Sequence, residues 1–105
     1  DKKLRFFALF TTNDRQHFTD LQKEMVEREF TFQLQKADVV IEKFEIRENY
    51  FTILMLFPFN KDVKSSLNDA VIECNQYGNF LDTKFLFTNV KVLSEKEIEN
   101  ILEKK

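Results

Sequence analysis

The longest run of apolar positions in the chain lies in NYFTILMLFPF, Asn49 to Phe59, where Ile53 to Phe57 is uninterrupted and Tyr50, Phe51 and Phe59 flank it. It is about half the length a membrane-spanning helix needs. It is rich in β-branched and aromatic residues and ends at Pro58, so it predicts a strand. Alternation would leave one wet face; a continuous run implies that both faces are covered, as in a central strand. Leu4 to Phe10 (LRFFALF) has the same character. Leu4, Phe6, Ala8 and Phe10 point one way, and Arg5, Phe7 and Leu9 the other.

The remaining pattern supplies the other elements. Thr11-Thr12-Asn13-Asp14 reads as a helix start. It predicts an amphipathic helix to about Glu29, with Phe18, Leu21 and Met25 on one face. Phe30 to Gln35 (FTFQLQ) alternates strictly and predicts a half-buried strand. Val39 to Ile46 continues as strand, and one bent strand or two short ones both fit residues 30–46. Arg47-Glu48-Asn49 turns into the central strand as a hairpin. Asn60 is the expected N-cap of a second helix, with Val63, Leu67, Ala70, Val71 and Cys74 as its apolar stripe and Gly78 as its left-handed stop. Phe85 to Leu93 reads as the last strand. Ser94 with Glu97 forms a capping box opening a terminal helix with Ile98, Ile101 and Leu102 on one face.

The order β-α-β-β-α-β plus a helix predicts an α+β, ferredoxin-like split βαβ sandwich with an antiparallel sheet, as a single domain over residues 1–105. That fold places its first and third strands centrally, which are the two segments apolar on both faces. Two helices cover only one face of such a sheet. The other face, assigned here to Phe7, Leu9, Phe51, Ile53 and Met55, then needs the terminal helix, a second copy or a partner over it. It is the candidate interaction face.

Composition narrows function mainly by exclusion. Thirteen Phe with no Trp and two Tyr indicate a core or dry interface rich in rings that carry no polar handle. A formal net charge of −2 argues against a nucleic-acid binder and against a polybasic membrane anchor. One Gly rules out both glycine-rich phosphate loops. One Cys forms no internal disulfide or metal knuckle, which fits a reducing compartment. The default localisation is cytoplasmic, with a removed leader left open because the chain does not start with Met.

No catalytic, cofactor or metal site emerges. His17, the one histidine, reads as an exposed helix residue, and Cys74 as packing on an apolar stripe. Ser65 and Ser66 lack the strained elbow of a catalytic serine. Glu42, Glu45 and Glu48 read as edge-strand charges that block unwanted pairing. Asn13 and Arg15 fall where a small phosphatase of this fold would cradle phosphate, without the glycines that shape such a loop.

One segment resembles a known family. Leu67 to Asp82, with Tyr77-Gly78 at a helix end and Asp82 beyond, is similar to the RraB-type ribonuclease E inhibitor domain. Asn79, Leu81 and Lys84 stand where that family has glycine, tyrosine and tryptophan. The resemblance implies a small acidic ferredoxin-like domain that acts by binding another protein. The expectation is therefore a non-enzymatic regulatory module, inhibiting a ribonuclease or another enzyme. The alternative is a back-to-back homodimer enclosing an apolar small-molecule pocket, with His17 and Asn13 as its polar groups. A third reading is an accessory domain of a longer protein.

Overall fold

A computed structural model describes residues 2–89 and 91–103. Four strands form one antiparallel sheet in the order β2-β3-β1-β4: β1 (Lys3–Thr11), β2 (Val40–Ile46), β3 (Tyr50–Pro58) and β4 (Leu86–Asn89). Helices α1 (Asp20–Lys36) and α2 (Val63–Asn75) cover one face, and α3 (Glu95–Glu103) packs on the other. This is the ferredoxin-like split βαβ arrangement with an added C-terminal helix. The two strands apolar on both faces, β1 and β3, are the central pair.

Three segments differ from the pattern reading. Phe30 to Gln35 is the last part of α1 and not a strand. Its alternation is incidental: Val26, Phe30 and Leu34 recur every four residues and are buried, while Phe32 is 56% exposed. The Lys36 amine covers the outer ring, 5.6 Å from its centroid. Helix α1 also starts later than expected. Thr12 is tied into the sheet end, its amide donating to the Asn49 carbonyl, and Asn13–Arg15 makes a short 3₁₀ turn. Thr19 then caps α1, its hydroxyl accepting from the Gln22 amide while the Gln22 side chain accepts from the Thr19 amide. Leu21, assigned to the apolar face, is 68% exposed, and Phe18 is buried from the extended segment ahead of the helix.

Smaller corrections follow the same logic. The N-cap of α2 is Asp62, which accepts from the Ser65 amide at 3.1 Å, and not Asn60. Gly78 does turn the chain after α2, at φ 149°. Nothing lies within 4 Å of where its Cβ would be, so backbone angle and not space calls for glycine there. Strand β4 is shorter than Phe85 to Leu93; Val90 lies outside the described residues. Strand β2 is single and carries a register shift between Ile41 and Lys43.

The phenylalanine surplus is explained by the face under α1 and α2. Phe51 stacks on Phe10 (4.6 Å, 8°) and on Phe44 (5.6 Å, 6°), so three rings lie side by side across β1, β3 and β2. Phe30 from α1 closes edge-on against Phe10 and Phe51, at 5.0 Å from each. Leu67, Ala70, Val71 and Cys74 of α2 complete the cluster.

Candidate functional site

Residues directly opposite in an antiparallel pair share a face, so register assigns the two faces. Phe7 faces Leu54 and Leu9 faces Thr52, whereas Phe10 faces Phe51, Ala8 faces Ile53 and Phe6 faces Met55. Phe51, Ile53 and Met55 therefore belong with the α1/α2 core, each fully buried, and not with Phe7 and Leu9. The five residues assigned to one interaction face are divided between two. The second face consists of Arg5, Phe7, Leu9, Tyr50, Thr52, Leu54 and Leu56 on the central strands.

Helix α3 lies on the middle of that face. Ile98 and Leu102 bury Phe7 and Leu9, with Tyr50, Leu54, Leu93 and Ile101 packed around them. Ser94 caps the helix: its hydroxyl accepts from the Glu97 amide, and the Glu97 carboxylate accepts from the Ser94 amide. Those bonds and Lys91 hold the Glu97 carboxyl below the usual carboxylate range. At the other end the Arg15 guanidinium donates to the Leu102 carbonyl at 2.5 Å, where unsatisfied carbonyls collect negative charge. Arg47 joins the start of α3 to β2, pairing with both Glu95 (3.1 Å) and Glu45 (2.9 Å).

Nine residues of helix span about 14 Å, too short for the whole face. Between α3 and β2 remains a groove of about 150 Å³, floored by Phe7, Leu54 and Tyr50 and edged by Lys43, Glu45 and Arg47. Burial raises the Tyr50 phenol above its ordinary pKa. Outside the helix, Val40, Leu86 and Val92 are exposed, at 45%, 40% and 56%.

Beyond the reach of α3, at the end where β1 begins and β3 ends, lies a broad open groove of about 810 Å³. Pairing of Lys3 with Pro58 brings the N-terminal lysines beside Phe59 and Lys61. The Lys3 amine donates to the Asp38 carbonyl, and the Phe59 amide to the Lys2 carbonyl. No local signal marks this groove in the sequence, because its cations lie more than fifty positions apart and meet only where the start of β1 pairs with the end of β3.

The remaining candidates do not converge. His17 is exposed and 3.8 Å from the Glu48 carboxylate, also exposed. Glu42 pairs with Arg5, whose hydrogen bonds pull its carboxyl below the ordinary range. Glu45 lies between Lys43 and Arg47, and its carboxyl is lowered by the bond from Lys43 first. Asn13 donates to the Asn79 carbonyl, and Arg15 holds α3, so neither faces a phosphate cradle. Cys74 is buried in the core, and its thiol is pushed up to about 12 by that burial. Among the described residues no three His, Cys, Asp or Glu side chains are placed to hold a metal ion, and no helix is long and apolar enough to cross a membrane.

No family model matches the chain, and no curated protein matches it. Solved structures do share its fold. A proposed transposase of Deinococcus radiodurans matches at TM-score 0.73 and 13% identity, over 99% of this chain and 89% of that one. A REP-associated tyrosine transposase bound to a REP hairpin matches at 0.72 and 12%, over 98% of this chain and 64% of that one. The P2 domain of the chemotaxis kinase CheA of Thermotoga maritima, in complex with the response regulator CheY, matches at 0.54 and 11%, over 85% and 100%. The present chain thus spans just under two thirds of the REP-bound transposase. At these identities the likeness is one of fold alone.

Proposed function

We propose that this domain is a regulatory module that acts by holding another protein, without chemistry of its own. The observation that carries the reading is the second sheet face. A short helix closes its middle and leaves exposed apolar side chains and ion-paired polar groups on either side. Such mixed surfaces suit association, with apolar anchors inside a polar rim. The fold is compatible with this use: the CheA P2 domain, which shares it, is seen bound to a protein. The similarity of Tyr77, Gly78 and Asp82 to the ribonuclease-inhibitor family supports the inhibitory form of the reading. Asp82 lies beside Arg15 and Leu102, at the end of the same face.

A photo-cross-linking amino acid placed at Leu86 or Val92, with Leu21 on the outer side of α1 as control, tests the proposal in cells that make the protein. The expected result is a discrete heteromeric adduct from positions 86 and 92 and none from 21. An adduct of twice the chain mass would shift the reading to the back-to-back homodimer, which the exposed Val40 and Leu86 also favour. Absence of adducts at both positions would count against association through this face.

A further inference from the structure

We infer that the open groove at the sheet end docks an extended, acidic segment of a partner protein that carries an apolar or aromatic side chain among its carboxylates. This rests on the protein-binding reading above and names the partner's chemistry.

Charge comes first. The groove holds three cations, Lys2, Lys3 and Lys61, against one carboxylate, Asp38, in a chain whose net charge is −2. Neither the Lys2 nor the Lys61 amine has a carboxylate partner among the described residues. Arg5 and Glu42 neutralise each other in a two-bond pair. A local excess of unpaired cation on an acidic protein selects acidic partners and speeds their approach.

Shape and apolar surface decide what kind of anion. Phe59 is 73% exposed and Val40 45%, and Pro58 shares the lining with them. An inorganic anion has no use for that surface, whereas a side chain between two carboxylates does. The groove is half open to solvent, unlike the enclosed clefts that bury small molecules. Val40 also opens β2, the outer strand of the sheet, whose far side meets no strand among the described residues. An extended peptide can add main-chain hydrogen bonds there, before the irregularity at Ile41/Lys43 ends the regular edge. Single-stranded nucleic acid fits less well. It wants a long basic track with repeated stacking surfaces, and this groove has three lysines, one exposed ring and one carboxylate.

The test pans a random phage-displayed peptide library against the full chain. Affinities of the enriched peptides are then measured by fluorescence anisotropy. Comparisons are the double variant Lys3→Glu/Lys61→Glu, the variant Phe59→Ala and a remote control, Glu99→Lys. All four positions are exposed, and circular dichroism checks that each variant folds. The expected result is enrichment of acidic peptides with an aromatic or large aliphatic residue. Each groove variant should weaken binding roughly tenfold or more, equivalent to about 1.4 kcal/mol, with the control unchanged. Enriched peptides without acidic bias, or affinities the groove variants leave intact, would overturn this assignment while the protein-binding reading stood. No enrichment would overturn it as well. Lysine-dependent binding of single-stranded oligothymidylate in that case would overturn both readings.

Discussion

Replacing Phe51 by alanine distinguishes a core residue from an interface residue. The ring is fully buried, stacked between Phe10 and Phe44 and met edge-on by Phe30. A buried Phe→Ala change costs about 3–5 kcal/mol. Ring pairs add about 0.5–1.5 kcal/mol each beyond area, though terms that share one ring do not sum. The upper end of the range, about 5 kcal/mol, is therefore expected. Total stability for a domain of this size is about 5–15 kcal/mol, so the variant loses a third of it or more. At about 4–8 °C per kcal/mol, Tm falls by roughly 20 °C or further. Phe51→Leu keeps an apolar side chain without the stack and should cost about 1–2 kcal/mol. It serves as the measurable case if the alanine variant does not fold. Urea unfolding followed by far-ultraviolet circular dichroism gives both values, with Phe59→Ala as the exposed comparison at about 0.5 kcal/mol or less. If Phe51→Ala cost under about 1 kcal/mol, the face assignment by register would be wrong.

Three further outcomes follow from the geometry. Leu102→Asp puts a charge under α3 and should release that helix alone: amide exchange should accelerate from Glu95 to Glu103, a hydrophobic dye should find Phe7 and Leu9, and exchange in α1 should stay slow. Thr19→Ala removes the α1 capping bond and should cost about 1 kcal/mol in urea unfolding, whereas Asn13→Ala, ahead of the helix, should not alter the α1 amides. Cys74 has its thiol pKa raised in the folded state to about 12 from 9.0. Its contribution to stability is thus complete below pH 9 and is lost as pH climbs toward 12, because the unfolded thiol loses its proton first. Stability of the wild type relative to Cys74→Ala should fall by at most about 1.4 kcal/mol per pH unit across that window, and a flat difference would show the thiol to be solvated.

Where the pattern was strong, sequence and structure agree. NYFTILMLFPF and LRFFALF are apolar on both faces because strands inside a covered sheet have no wet side, and they are the central pair. The stripe Leu67, Ala70, Val71, Cys74 and the Ser94–Glu97 box also keep their expected roles, since helical spacing and capping are local. FTFQLQ failed because three alternating residues also satisfy a spacing of four, and the preceding Val26 decides between the two. The face of Phe51, Ile53 and Met55 failed for a different reason. A run apolar on both sides carries no parity signal, so only the register with β1 tells one face from the other.

By itself, then, the sequence determined the order of elements, the two central strands and the need to cover a second sheet face, because burial and capping write local periodicities. Tertiary structure alone decided that α3 covers that face, that Arg15 and Arg47 hold the helix at its two ends, and that Lys2, Lys3 and Lys61 meet beside Phe59. Those contacts join residues tens of positions apart, and strand register and helix docking, which no local pattern encodes, bring them together.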